Sequence, residues 1–599
     1  MNGFSREANT CATANEIEPL KAHMAEPQSL AEATLRDLRA FFASNGHRPS
    51  DEHWAALRAI ANTMQAMADG TCEAKVHLSA CDPGVGKSQT CIRFAKALVA
   101  DAAYRDVGMI VSAFTIAEVA ALATALHAVR ESLCVLTSDP ETNALGGADG
   151  AQAQVLITTQ SRLGRLTQDR PFASATAFHF QGEPRAVRVW DESLLPGSPV
   201  VVSADAVMGL ASHLRAVSSD LVSALYAFGT MLAKLTHGAP VDVPEFPALA
   251  YLNGLDSPRD RETAAALRAM SDRRVRVSRD GRDGCAMLTF REELPADLAP
   301  LLVLDASGRV RDTYTLWEDH RDTLKRLPSA VRDYTPLTLN VWRRSGSKSG
   351  WAKDGGTLVK GIVATILTKP DERWLIVTHR LSGIIGDPAR MISAKLPADV
   401  RSRVAFTNWG RHCGVNDWAD VPNVVLAGTL FYPNSHLAAL HHVCADLPVE
   451  DGLVDAHKVR DTERGEHRHL LVQALGRGRM RRSEGNQCHP MTGYVIASPR
   501  SRIEAELPAV FPGCTVQPWT PLGTKATGKV KDALGWLKAA FGSGRTQIAF
   551  LEIYEAVHMT GPNFSHRVLK TIPWVTGIEA MGLEIIKGSR GAKFVRLKQ

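Results

Sequence analysis

Residues 74–100 read AKVHLSACDPGVGKSQTCIRFAKALVA. The first seven form a short apolar run of the kind that makes a buried strand. The last fourteen, from Lys87, place Ile92, Phe94, Leu98 and Val99 among alanines and predict a helix. Between them stands Pro83-Gly84-Val85-Gly86-Lys87-Ser88, a glycine-rich turn joining a strand to a helix, which is the setting a phosphate-binding loop requires. Glycines let successive backbone N–H groups turn inward around phosphate oxygens. The new helix directs its positive end to the same place. Lys87 has the reach for the β- and γ-phosphates of ATP, and the Ser88 hydroxyl is a ligand for Mg2+. Pro83, Gly84, Val85, Gly86, Lys87, Ser88 and Gln89 are therefore the candidate nucleotide contacts. Cys81 stands where such loops usually begin with Gly or Ala.

Outward from this loop the chain alternates. HWAALRAIANTMQAMADG (53–70) has helical spacing. VGMIVSA (107–113), QVLITT (154–159) and AVRVWDE (186–192) read as strands, with a helix-like stretch at 115–129. Strands alternating with helices predict a parallel sheet in an α/β domain. Residues 206–236 carry Leu210, Leu214, Val217, Leu221, Leu225, Phe228 and Leu235 at steps of three, four and seven and predict one long amphipathic helix. RRVRVSRDGRDGCAMLTF (273–290) predicts a hairpin, and 206–298 is read as an insertion. PLLVLDAS (300–307) returns to a buried strand. RRSGSKSGWAKDGG (343–356) has linker composition. A second alternation follows, with strands at 373–379, 404–408, 423–429 and 493–498. The expected units are a lead-in at 1–50, a first lobe at 51–342, a linker at 343–356, a second lobe at 357–506, a connector at 507–528 and a compact tail at 529–599.

Val187-Arg188-Val189-Trp190-Asp191-Glu192 ends an apolar strand in two carboxylates, at the edge where ligands bind in parallel sheets. Asp191 is placed to hold Mg2+, and Glu192 to orient or deprotonate a water. With the loop, these residues resemble superfamily 2-type helicases and translocases. Cys81–Ser88 resembles motif I of that family and Asp191-Glu192 motif II. Ser112-Ala113-Phe114-Thr115 resembles motif Ia, Thr158-Thr159-Gln160 motif Ib, Asp305-Ala306-Ser307 motif III, Val377-Thr378-His379-Arg380 motif IV and Gly414-Val415-Asn416 part of motif V. Gln473-Ala474-Leu475-Gly476-Arg477-Gly478-Arg479-Met480-Arg481 resembles motif VI. The resemblance spans about 75 to 482 and implies two RecA-like P-loop NTPase lobes with ATP and Mg2+ between them. It also implies nucleic acid across the top, touching Ser112, Thr159 and Asn416.

Motif VI supplies arginine fingers, always charged and forked to fit phosphate oxygens. Arg477 is the first finger, and Gln473 joins the nucleotide contacts. Met480 occupies the position where the family places its second arginine. That role falls to Arg479 or Arg481, with Arg479 favoured. No adenine-reading Gln motif precedes the loop; Gln65 on the preceding helix is the one candidate.

The tail reads as three helices (530–541, 546–559, 563–576) and a basic hairpin (583–597), which resembles a winged helix. That resemblance implies duplex DNA against Asn563, Ser565, His566, Arg567 and Lys570, with Lys587, Arg590 and Lys593 on the wing. The alternative is a protein-docking winged helix or a plain helical cap.

The 599 residues suit about four domains. Lys and Arg number 69 against 63 Asp and Glu, a net charge of +6 that permits a nucleic-acid partner without demanding one. Ten cysteines without a C-x-x-C pair argue against a disulfide framework or zinc ribbon, and without a four-cysteine pattern they argue against an iron–sulfur cluster. The absence of a long apolar run or an apolar leader gives a cytoplasmic expectation. The functional expectation is an ATP-dependent DNA helicase or translocase. Its form of motif VI is similar to replication helicases of bacterial phages, prophages and plasmids. The alternatives are an ATP-switched, site-specific DNA-binding initiator and an RNA-dependent remodelling ATPase.

Overall fold

The computed structural model describes residues 29–215, 218–246, 249, 255, 257–280, 284–380, 386–410, 418–522, 526, 528–569, 571–588 and 591–597. Two helices lead in, α1 (Leu30–Ser44) and α2 (Asp51–Ala68), capped by Ser29 and Ser50. Then come β1 (Val76–Ser79), α3 (Lys87–Ala100), β2 (Met109–Ala113), α4 (Ile116–Ala125), β3 (Leu133–Leu136), β4 (Val155–Thr159), α5 (Gln160–Thr167) and β5 (Val187–Asp191). Excluding the residues inserted after β5, the lobe closes with β10 (Leu301–Leu304), α9 (Asp312–Arg321) and β11 (Leu324–Arg326). The seven strands lie in the order β11-β1-β10-β5-β2-β4-β3, all parallel. A sheet buried on both faces needs continuous apolar strands, and LLVL (301–304) and VLITT (155–159) supply them. Helix α1, expected as part of a loose lead-in, packs Leu35, Leu38 and Phe42 into the core of this lobe.

The inserted residues build their own sheet. Strands β6 (Gly197–Ser203), β7 (Pro240–Asp242), β8 (Arg274–Arg279) and β9 (Cys285–Glu292) pair antiparallel in the order β6-β9-β8-β7. Helices α6 (Ala204–His213), α7 (Ser219–Lys234) and α8 (Pro258–Met270) cover it around a separate core. The single helix expected over 206–236 is thus two, because Ser218 caps a new start through the N–H of Leu221.

The second lobe holds β12 (Leu337–Trp342), α10 (Lys348–Ile366), β13 (Trp374–Thr378), β14 (Val404–Asn408), β15 (Asn423–Leu426), α11 (Asn434–Cys444), α12 (Ala456–Leu475), β16 (Met491–Ile496), α13 (Ile503–Val510) and β17 (Thr515–Pro518). Its six parallel strands run β14-β13-β15-β16-β12-β17. Two RecA-like α/β lobes are therefore present. Their junction differs from expectation. Residues 343–356 are not a linker, since β12 already pairs in the second sheet and Ser347 caps α10. The passage between lobes falls at 327–336. The connector expected at 507–528 likewise contains β17, paired with β12.

The insertion also touches the second lobe. Leu288 and Phe290 of β9 meet Leu437, Ala438 and Ala439 of α11 in an apolar seam with Val449 and Val459. Asp280 accepts hydrogen bonds from the N–H of Ser435, at 2.8 Å, and from its hydroxyl.

The tail contains α14 (Gly528–Gly542), β18 (Gln547–Ala549), α15 (Phe550–Ala556), α16 (Gly561–Arg567), α17 (Ile572–Ala580), β19 (Leu583–Gly588) and β20 (Gly591–Leu597). The sheet order is β18-β20-β19, over a core of its own. The helix expected at 563–576 is broken in two, so Asn563, Ser565, His566 and Arg567 lie on a helix separate from the one that precedes the hairpin. No helix among the described residues is long and apolar enough to cross a membrane.

Candidate functional site

The loop after β1 turns through Gly84 (φ 77°) and Gly86 (φ 109°), left-handed values that favour glycine. Neighbours make the same demand. A Cβ at Gly84 would stand 2.1 Å from the carbonyl oxygen of Arg481, and one at Gly86 would stand 2.5 Å from Cζ of Phe42. Cys81 is buried beside Ala56 and Val85, so it serves packing, and Val85 is not among the residues that line the cleft. Lys87 opens α3, and its Nζ donates to the carbonyls of Cys81 (2.5 Å) and Asp82 (3.1 Å). Burial pushes the Lys87 pKa down, against the pull of Glu192, Asp191 and Asp82.

Asp191 ends β5. It accepts a hydrogen bond from the Ser88 hydroxyl at 3.0 Å, while its carbonyl accepts one from Gln160 Nε2 at 2.6 Å. Burial, with Glu192 and Glu118 adding repulsion, pushes its pKa up to about 7. Glu192 follows with φ 87°, in the left-handed region, and its N–H donates to Leu304 at 3.2 Å. A non-glycine residue held there is strained, and the strain aims its carboxylate into the cleft.

The far wall comes from the second lobe. Helix α12, capped by Asp455, runs to Leu475 and carries Gln473. Gln473 Nε2 donates to Glu192 Oε2 at 2.9 Å. Arg477 Nη2 donates to Glu192 Oε1 at 3.3 Å and to Gln473 Oε1 at 2.9 Å. Lys87, Ser88, Gln89, Asp191, Glu192, Gln473 and Arg477 all line one cleft of about 610 Å³, with Pro83, Gly84 and Gly86. Arg481 lines it too, its pKa lowered by burial and by Arg477. Arg479 does not. The short 3-10 turn Arg479–Arg481 sends residues two apart to different sides, and Arg479 borders a separate cavity with Lys369, Asp420 and Met491. Of the two arginines weighed for a second finger, the favoured Arg479 lies off the cleft and Arg481 lines it.

Several expected nucleic-acid contacts are turned inward. Ser112 is buried and donates to the Val189 carbonyl at 3.2 Å. Thr159 is buried and caps α5 through the N–H of Arg162. Both belong to the sheet edge and its helix cap. Gln65 holds Asp69 and Tyr104 and accepts from the Ala31 N–H, so it fastens α1 to α2 and is not among the residues that line the cleft. Asn416, Lys570 and Arg590 lie outside the described residues, while Arg567 and Lys593 are exposed on the tail. Asp305 and Ser307 form a buried chain: the Ser307 hydroxyl donates to Asp305 Oδ1 at 2.6 Å and lies 2.6 Å from His469 Nδ1 on α12. Arg311 and Glu466 form a buried bidentate pair across the lobes at 2.7 and 2.8 Å.

Sequence reasoning missed the outer wall of the cleft. Phe41, Phe42, Asn45 and His47 line it from the end of α1, and Phe42 meets His47 edge-on at 4.6 Å. The signal was an amphipathic helix stopped by Asn45-Gly46. Glu118, in the first turn of α4, lines the opposite side and completes a capping box with Thr115. The Ser88 hydroxyl and the Asp191 carboxylate are hard oxygen donors side by side, and they fit the ligand preference of Mg2+.

No family model matches the chain, and no curated protein does. Solved structures do. An XPD structure without ligand matches at 12% identity and TM-score 0.44, over 76% of this chain and 99% of that one. Saccharomyces cerevisiae Dbp5 bound to RNA and ADP BeF3 matches at 10% identity and TM-score 0.38, over 80% and 93%. The Mycobacterium smegmatis helicase Lhr bound to ssDNA and AMP-PNP matches at 11% identity and TM-score 0.36, over 95% and 60%. At such identities and TM-scores these similarities bear on no residue of the cleft.

Proposed function

We propose that the chain is an ATP-driven motor that moves along or unwinds DNA, hydrolysing ATP between its two lobes. One observation carries the reading. Gln473 and Arg477 of the second lobe reach Glu192 of the first, at the mouth of the cleft that holds Lys87 and Ser88. In this reading Lys87 exchanges the loop carbonyls for phosphate oxygens. Arg477 exchanges Glu192 for the terminal phosphate, with Arg481 beside it. Glu192, released, orients the attacking water and takes its proton. Ser88 and Asp191 hold Mg2+, which when bound neutralises charge on the phosphate oxygens. The lobes draw together as the arginines engage and part after the terminal phosphate leaves. Ser307–His469 and Arg311–Glu466 tie the edge of the first sheet to α12, so closure is felt along the top of the molecule.

The tail supports DNA as the track. Residues 528–599 hold eleven Lys and Arg against five Asp and Glu, which equals the net charge of the whole chain. We assign it a winged-helix-like role at duplex DNA. The form of motif VI supports a setting in replication of a bacterial phage, prophage or plasmid. The deciding experiment measures ATPase rate with single-stranded DNA, duplex DNA and RNA, beside strand displacement. Stimulation by single-stranded DNA with unwinding supports the motor. Tight binding to one duplex sequence with negligible turnover favours an ATP-switched initiator, and stimulation by RNA alone favours a remodelling ATPase.

A further inference from the structure

Among the described Phe, Trp and Tyr side chains only two are exposed, Phe114 at 47% and Phe431 at 38%. A large apolar ring left in water forgoes the stabilisation that burial brings. Their positions correspond. Phe114 follows β2 and Phe431 lies five residues past β15. Each therefore sits at the carboxyl edge of a parallel sheet, one in each lobe, on the edge that carries the phosphate loop in the first lobe. Each is also fastened to a helix that walls the nucleotide cleft. Phe114 directly precedes Thr115, the cap of α4, whose Glu118 and Leu122 line the cleft. The Phe431 ring packs edge-on against His467 at 4.8 Å, and His467 belongs to α12, the helix that delivers Gln473 and Arg477.

We infer that Phe114 and Phe431 are base-stacking platforms for single-stranded nucleic acid, one per lobe, each mechanically joined to the nucleotide cleft through a single helix. The inference rests on the motor reading above and deepens it, because it names bases as well as phosphates as what the lobes grip. Every base presents a π-face, so stacking is indifferent to sequence, which suits a track of arbitrary composition. It also adds a contact that salt does not screen, beside phosphate contacts that salt weakens.

The test compares binding of a dT oligonucleotide with binding of an abasic strand of equal length, by fluorescence anisotropy over a range of salt. The unaltered protein is expected to prefer the dT strand. Phe114→Ala and Phe431→Ala should each weaken dT binding by about tenfold or more, toward the abasic level, with the salt slope unchanged. Phe114→Trp and Phe431→Trp should keep the affinity, and their added indole emission should be quenched by the dT strand. Equal dT affinity in the Ala variants, or a salt slope that falls with the affinity, overturns the stacking assignment while leaving the motor reading standing; the rings would then be protein contacts. If the unaltered protein binds neither strand, the motor reading and this inference fall together.

Discussion

Arg477 Nη2 stands 3.3 Å from Glu192 Oε1, so a buried guanidinium of the second lobe and a carboxylate of the first hold each other across the cleft between the lobes. On the motor reading proposed above, this contact would keep the finger and the water-activating group occupied with each other until a triphosphate offered Arg477 a stronger partner.

Arg477→Ala should leave nucleotide affinity roughly constant and slow turnover at least about a hundredfold. Single-turnover hydrolysis and titration with a fluorescent nucleotide analogue separate the two effects. Lys87→Ala is expected to abolish hydrolysis with the thermal midpoint unchanged. Normal turnover by either variant would sink the assignment of this cleft.

Arg481 and Arg479 should part company. Arg481 lies against Gly84 and faces the cleft, whereas Arg479 borders a different cavity. Arg481→Ala should lower the hydrolysis rate by about tenfold or more, while Arg479→Ala stays within about twofold of the unaltered protein. The reverse ranking would restore Arg479 as the second finger.

The buried Arg311–Glu466 pair joins the lobes through two hydrogen bonds. Removing one partner strands the other charge, so Arg311→Met should cost about 3–5 kcal/mol, read from the denaturant midpoint. Arg311→Met with Glu466→Leu should cost less than Arg311→Met alone. A double variant as damaged as the sum of the singles would show that the pair matters for more than charge balance.

Acid should unfold the protein in a defined window. Burial pushes His53, His441 and His467 down to about 4, well below the ordinary histidine value. Between about 4 and 6.5 the unfolded chain binds protons that the folded chain refuses, so stability falls as pH drops through that range. Urea midpoints taken at several pH values across it should show the decline. His441→Gln, which keeps a hydrogen-bonding group near the Thr462 hydroxyl, should flatten part of it.

Deleting residues 528–599 should weaken duplex binding far more than ATPase activity measured without nucleic acid, since the tail has its own core. Unchanged duplex affinity would move the tail to protein docking.

The parallel strands were legible because burial on both faces leaves continuous apolar runs bounded by turn residues. The first-lobe side of the cleft was legible because the phosphate loop and the Asp191-Glu192 strand end are local patterns. Residues 343–356 misled for a physical reason. Their composition serves close packing and helix entry: Trp351 is buried, its indole donates to the Ala427 carbonyl at 2.7 Å, and a Cβ at Gly346 would stand 2.5 Å from Cα of Gly428. Pairs such as Arg311–Glu466 and Ser307–His469 join residues more than 150 positions apart, and no local pattern announces them. The inward turn of Ser112 and Thr159 was also hidden, because strand-end hydroxyls serve equally well as caps and as ligands.

The apolar seam between β9 and α11 has a consequence for biosynthesis. Leu288 and Phe290 leave the ribosome roughly 150 residues ahead of Leu437, their partner, an interval on the order of ten seconds at ordinary elongation rates. Throughout that interval a finished sheet shows a bare greasy flank. A chaperone that shields this flank should therefore raise the yield of folded protein, and a ribosome stalled between these segments would release a fragment with the flank uncovered.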